Sequence, residues 1–226
     1  MVWAWGGHGS ALVDEPPAPD LSIWLAVNRR LILASASPAR RQLLEWAGLS
    51  PEVAVSHVSE SGVEHLPPSE AVLFLAQRKA EAVAQTVIAP ADPPIVVGCD
   101  SMLEFEGQIW GKPGSPAEVI ERWRRLRGRE GHLHTGHCVI DTATGSMAAA
   151  TDTATVCFGD PDDREIERYS RTAEALEVAG PFTLEGRSAP WIDSIVGNYG
   201  TITGVSLALL RRLLAEVNVE IIDLWS

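Results

Sequence analysis

The chain has 226 residues, 46% of them hydrophobic, and a formal charge of −12. That length suits one large α/β domain or two small lobes, and no run approaches the roughly 18 apolar residues of a membrane span. The acidic balance excludes non-specific binding to DNA, RNA or acidic lipid, while a local positive pocket for a small phosphorylated ligand stays compatible with it.

The cysteines Cys99, Cys138 and Cys157 show no CxxC spacing and read as core thiols of a reducing, cytoplasmic setting. Residues 1–28 hold Trp3, Trp5 and Trp24 but no Lys or Arg, so they lack the basic region of a secretory signal. They read as an N-terminal extension (a flexible segment, an accessory flap or an upstream reading of the start codon), which leaves residues 29–226 as the folded domain.

The apolar run Leu31–Ala34 predicts a buried strand. Ser37 then falls at a helix N-cap, Pro38 at the first helical position and Gly48 at the stop. Leu43, Leu44 and Ala47 give that helix its inner face. Arg40 and Arg41 lie in its first turn, where the helix dipole disfavours each positive charge by about 0.3–1 kcal/mol. Together with Ser35, Ser37 and free backbone N–H groups they form an anion cradle. The same residues also describe an ordinary capped helix with two solvated arginines.

Val53–Val55 predicts a second strand, and the acidic loop after it carries Glu60. Pro67–Pro68–Ser69 opens a helix to about Val87, with Val72, Leu75, Ala76, Ala80 and Val83 on its inward stripe. Lys79 lies on that stripe, so its ammonium must snorkel to water or reach a partner. Residues 95–100 read as a central strand with Asp100 at its C-terminal tip, where open α/β sheets bind ligands. Asp100 there suits metal binding, proton transfer or the capping of a turn. A hairpin around Glu106–Gly107 delivers Gly111–Lys112–Pro113, and Ser115–Glu118 is a capping box for a helix ending near Arg127.

Residues 132–158 read as a long hairpin broken at Thr142–Gly145. His132 and His134 share a strand face, but His137 has the other parity and nothing completes a tetrahedral set, so no zinc site is expected. Residues 162–174 read as one amphipathic helix. Gly180–Phe182 turns into a short strand ending at Glu185–Gly186, and residues 192–204 read as loop. A helix over 205–216 and a last strand over 219–225 complete the chain.

Six segments, in order, resemble motifs of the Maf family of nucleoside triphosphate pyrophosphatases, relatives by fold of the inosine triphosphate pyrophosphatases. S-x-S-P-x-R appears as Ser35–Ala36–Ser37–Pro38–Ala39–Arg40, and the acidic loop ends in Glu60. L-A-x-x-K-A runs from Leu75 to Ala80 through Lys79, and G-x-D-[TS] is Gly98–Cys99–Asp100–Ser101. G-K-P is Gly111–Lys112–Pro113, and T-G-x-x-V spans Thr135–Val139. The resemblance covers about Arg30 to Trp225.

This resemblance implies an α/β fold with a mixed central sheet flanked by helices, in two lobes with a cleft between them. It implies hydrolysis of a nucleoside triphosphate to the monophosphate and pyrophosphate, as housecleaning of modified or excess nucleotides, with a link to cell-division arrest. Ser35, Ser37, Arg40, Arg41, Lys112 and Glu185 would bind substrate, and Lys79 and Glu60 would join Asp100 in catalysis, Lys79 as a further counter-charge. Glu60 and Asp100 would hold a divalent cation, Mg²⁺ first and Mn²⁺ second, and Asp100 would activate the attacking water.

The resemblance is also compatible with a homodimer, which nothing in the sequence decides. Ala39 stands where one branch carries Arg and another Trp. Glu185 stands where the pyrimidine-selective branch favours Gln, so no base preference is implied. Ser59 stands where the acidic loop more often has Asp, which weakens one expected metal or water contact. Two alternatives accompany this reading: a catalytically weak nucleotide-binding regulator of septum formation with the same fold, and a metal-dependent phosphatase or nucleotidyltransferase.

Overall fold

The computed structural model describes residues 29–87, 91–178 and 180–226, so the extension read over residues 1–28 lies outside the described residues. Strand β1 (Leu31–Leu33) enters helix α1 (Pro38–Trp46), and strand β2 (Glu52–Val53) leads to helix α2 (Pro68–Ala84). Strand β3 (Ile95–Phe105) turns through Glu106–Gly107 into β4 (Gln108–Trp110). Helix α3 (Pro116–Leu126), the hairpin of β5 (Glu130–Asp141) and β6 (Met147–Phe158), and helices α4 (Asp163–Ser170) and α5 (Ala173–Glu177) follow. Strand β7 (Ile192–Val196) and helices α6 (Tyr199–Thr203) and α7 (Leu207–Glu216) precede a final 3₁₀ turn, Ile221–Leu224.

The seven strands form one mixed sheet in the order β2-β1-β3-β5-β6-β7, with β4 attached to β3. β2, β1 and β3 are mutually parallel and the other pairs antiparallel. One edge of β3 pairs without interruption with β5, from Ile95 to Glu104. Its other edge is divided: β1 takes Ile95–Val97 and β4 takes Leu103–Phe105. Residues 98–102 therefore face a gap between β1 and β4, and the gap positions the candidate site.

Side chains alternate across a sheet, so each face builds its own core. Leu31, Leu33, Val97 and Val139 pack against Leu43 and Leu44 of α1 and Leu210 and Leu213 of α7. On the opposite face Ile32, Val96 and Cys138 meet Ala76, Ala80 and Val83 of α2. Farther along the same strands Leu103, Phe105, Leu133 and Val156 build another core with Trp123 of α3 and Ile166 of α4.

Helix α2 lies unusually close to the sheet because two strand residues have no side chain. A Cβ on Gly98 would stand 2.3 Å from the Ala76 carbonyl oxygen, and one on Gly136 would stand 2.2 Å from that of Val72.

Several sequence expectations change in the fold. Asp100 is not at a strand tip: β3 runs on through it to Phe105, and the edge opens there because its partner β1 ends at Leu33. The helix read over 162–174 is two helices, because Thr172 breaks the run and caps the second by accepting from the Ala175 N–H. No strand forms at 180–186. The loop read over 192–204 contains β7, which pairs with β6, and α6, capped by Asn198. The last strand is a 3₁₀ turn, with a single bridge from Trp225 to Leu49.

Candidate active site

Lys79 comes down from α2 toward the gap in β3. Its neighbours Ala76, Ala80 and Val83 hold α2 on the sheet, so its stem starts on a buried face and its ammonium reaches a partner instead of water. Nζ donates to Asp100 Oδ1 at 2.5 Å and to Glu60 Oε1 at 2.6 Å. The Lys79 and Asp100 side chains are 12% and 9% exposed, whereas that of Glu60 is 65% exposed. One ammonium thus joins a buried carboxylate from the sheet to an open one from the loop.

The two carboxylates are tuned in opposite directions. For Glu60 burial acts upward, but the hydrogen bond and charge of Lys79, with the charges of Lys112 and Arg40, outweigh it and hold the carboxyl below its ordinary value. For Asp100 burial wins, raising the carboxyl above its ordinary value against the pull of Lys79 and Arg40. Environments that separate the pKa values of two neighbouring acids also separate their chemical roles.

The other sequence-predicted residues fall into two groups. Arg40 is buried, and its Nε donates to Gly204 O at 2.8 Å. Its Nη1 donates to Ser35 Oγ and Cys99 O, and its Nη2 to Ser101 Oγ, each at 2.9 Å. Ser35 and Ser37 line the turn into α1, where Ser37 Oγ accepts from the Arg40 N–H as the helix cap. Lys112 follows β4 across the gap, and its charge reaches Glu60.

Arg41 is not drawn in. Its guanidinium is exposed and pairs with Glu45 one turn along α1, at 2.7 Å. Glu185 joins α6, accepting from Tyr199 Oη at 3.0 Å and Thr203 Oγ1 at 2.9 Å.

Sequence reasoning missed a polar belt beneath Asp100. Thr135 Oγ1 donates to Thr201 O at 2.7 Å, so the 2.8 Å contact between Ser101 and Thr135 has Ser101 as donor. Thr201 Oγ1 donates in turn to Asp152 Oδ2 at 2.6 Å. His137 is fully buried nearby. The available signal was Thr135 and His137 just before the apolar run Cys138–Ile140 of the same strand. Nothing local announced Thr201 or Gly204 as its partners.

Among the described residues no group of three or more His, Cys, Asp or Glu side chains is set to hold a metal ion. His132 and His134 meet Thr155 and Thr153 instead. Glu60 and Asp100 still fit Mg²⁺, which takes one or two protein carboxylates and completes its shell with water and substrate phosphate. Among the described residues no helix is long and apolar enough to cross a membrane.

Residues 30–217 match the family model described as Maf-like protein. The chain belongs to the Maf family. A Streptomyces coelicolor protein named nucleoside triphosphate pyrophosphatase is 51% identical over 198 residues, which cover 88% of this chain and 95% of the relative. A Salinispora tropica protein of the same name is 51% identical over 199 residues, 87% of this chain and 88% of its own. One from Synechococcus elongatus is 47% identical over 196 residues, 87% and 97% respectively. Maf pyrophosphatases generally depend on a divalent metal ion.

Two Maf motifs that are far apart in sequence lie side by side in the fold. Thr135, Gly136, His137, Cys138 and Val139 of β5 pair in register with Ser101, Asp100, Cys99, Gly98 and Val97 of β3. Gly136 stands opposite Asp100, and its missing side chain gives α2 the room that brings Lys79 within reach.

Proposed function

We propose that this Maf protein is a hydrolase that cleaves nucleoside triphosphates between the α- and β-phosphates, removing modified or excess nucleotides. The products are the nucleoside monophosphate and pyrophosphate. The observation that carries the residue assignment is the Lys79 ammonium bridging Asp100 and Glu60 at the gap in β3.

In this reading a water oxygen bonds to the α-phosphorus, the bond from that phosphorus to the bridging oxygen breaks, and pyrophosphate leaves. Asp100 takes the proton of the water, a role suited to a carboxylate whose burial raises its proton affinity. Lys79 holds Asp100 and offers positive charge to the phosphates. Ser35, Ser37 and the first N–H groups of α1 cradle the phosphate chain, with Lys112 opposite. Arg40 has one N–H beyond the four bonds it makes inside the protein, enough for a single phosphate contact.

Glu60 and Asp100 would hold the divalent cation, Mg²⁺ in the first place and Mn²⁺ as the alternative. When bound it supplies charge neutralisation on the phosphate oxygens. Glu185 is assigned to the nucleoside end of the substrate, presented by the loop that meets α6.

The test is pyrophosphate release across a panel of common and modified nucleoside triphosphates with Mg²⁺, with Asp100→Asn measured alongside. Pyrophosphate from one or a few substrates, reduced about 10²–10⁴-fold in the variant, is the expected outcome. Tight nucleotide binding with no pyrophosphate from any substrate would replace this reading with that of a binding regulator.

A further inference from the structure

His137 is buried, polar and absent from the chemistry above. In β5 it pairs directly with Cys99 of β3, the residue before Asp100. Its Nδ1 lies 3.0 Å from the Thr135 carbonyl oxygen, and its Nε2 accepts the Ser206 backbone N–H at 2.8 Å. Those two contacts fix the tautomer: the carbonyl requires a proton on Nδ1, and the N–H requires a lone pair on Nε2.

Ser206 caps α7 through its own hydroxyl, which accepts from the Leu209 N–H. Two residues earlier, Gly204 has φ +108° and a carbonyl that accepts from Arg40 Nε. A Cβ there would stand 2.7 Å from that Nε. The link between α6 and α7 is thus gripped twice, from the sheet by His137 and from α1 by Arg40.

These contacts close into a ring. From His137 it passes to Ser206 and Gly204, then through Arg40 Nε and Nη1 to the Cys99 carbonyl, and across the β3–β5 ladder back to His137. Arg40 also donates to the Ser101 hydroxyl, so it grips the Cys99 backbone on one side of Asp100 and the Ser101 side chain on the other.

We propose that His137 is a positioning residue for this reaction: as a neutral acceptor it anchors the α6–α7 link, and through Arg40 it fixes the part of β3 that carries Asp100 against the phosphate-binding turn. The proposal rests on the pyrophosphatase reading of the site. The groups facing the imidazole are the Arg40 guanidinium, the Asp152 carboxylate and the backbone of Thr135, Ala150 and Ser206. Burial first, and the Arg40 charge second, push the imidazole pKa down to about 4, so the neutral form that the geometry needs persists throughout the working range.

The experiment compares His137→Leu, which removes the acceptor, with His137→Gln, whose side-chain oxygen can replace Nε2. Val119→Ala, in the core of α3, serves as a folded but destabilised control. For His137→Leu we expect kcat to fall roughly 10- to 100-fold with KM changed far less, the signature of a displaced reacting group. His137→Gln should recover most of the loss, and Val119→Ala should keep wild-type kcat at a temperature where it is folded.

A folded His137→Leu with wild-type kcat would overturn the proposal while leaving the pyrophosphatase reading intact. A wild-type protein that releases no pyrophosphate would overturn both. The wild-type imidazole provides a check that needs no variant: its ¹⁵N shifts should report the neutral form protonated on Nδ1 from pH 8 down to pH 5. A protonated ring at pH 6 would overturn the proposal.

Discussion

Four of the five N–H donors of Arg40 are engaged inside the protein, on Gly204, Ser35, Cys99 and Ser101. Arg41, the next residue, is exposed and, among the described residues, pairs with the half-buried carboxylate of Glu45. The sequence presented both as members of one cradle, because both stand in the first turn of α1. What separates them is the 100° step of a helix, which turns one inward and the other to water.

Arg41→Ala should therefore leave kcat/KM within about twofold and change stability by at most about 0.5 kcal/mol, the worth of an exposed i,i+4 pair. Arg40→Lys keeps the charge but has one nitrogen where the site needs three. It should cost about 2–4 kcal/mol through orphaned buried acceptors and reduce turnover more than tenfold. Urea titration and pyrophosphate release measure both; equal effects from the two substitutions would contradict the assignment.

Asp141, at the far end of β5, gives a prediction of a different kind. Burial acts upward on its carboxyl, but the hydrogen bond from Arg29, the Ala143 N–H, the Arg29 charge and the Thr144 hydroxyl hold it below the ordinary value of 3.8. The folded state thus binds this proton less readily than the unfolded chain, so the stability it contributes is complete above about pH 4 and is lost as pH falls further. Asp141→Asn should lower the urea midpoint at pH 7, and the difference from wild type should shrink below pH 4. An unchanged difference at pH 3 would contradict this account.

Helix α2 shows how a structural element sets the geometry of a reaction. Its apolar stripe was legible from the spacing of Val72, Leu75, Ala76, Ala80 and Val83, all of them buried. That Lys79 finds a partner was not, because the partner depends on how closely the helix approaches the sheet, and Gly98 and Gly136 decide that. Gly136→Ala forces a methyl against the Val72 backbone, where no side chain can move aside. The cost should be about 3 kcal/mol, lowering Tm by roughly 6–12 °C, and turnover should fall with it as Lys79 is lifted.

The same distinction explains what else was and was not readable. Elements with their own local signals, such as α1 with Ser37 and Pro38 or α3 with Ser115, appear close to where they were expected. Strand β7 exists through its contact with β6, which carries no local signature, and α6, although Asn198 and Gly204 cap it locally, is tied to the sheet by the Thr135 hydroxyl of β5. The gap that makes the site is likewise a property of two strands sharing one edge of a third.

At the scale of the whole molecule, two cores lie in series along the same strands. Val97 and Val139 belong to the first, and Leu103 and Leu133 to the second, so β3 and β5 run without a break from one to the other. Asp100 and the ring around Arg40 occupy the polar interval between them. Separate lobes on a flexible linker would unfold independently, whereas shared strands couple them, because losing one core removes half the ladder that supports the other.

Leu210→Ala tests this coupling. Leu210 is fully buried in the first core, where α7 packs against β5 and β6, and its truncation should cost about 2–5 kcal/mol. If the strands unite the two cores, native-state hydrogen exchange at the α3 amides, including those of Val119 and Trp123, should accelerate by the same free energy as exchange in α7. Faster exchange in α7 with α3 unchanged would mean that the cores open separately. The relative placement of the Ser35–Ser37 turn and Lys112, carried by β1 and β4 on either side of the gap, would then be a moving quantity rather than a fixed property of the sheet.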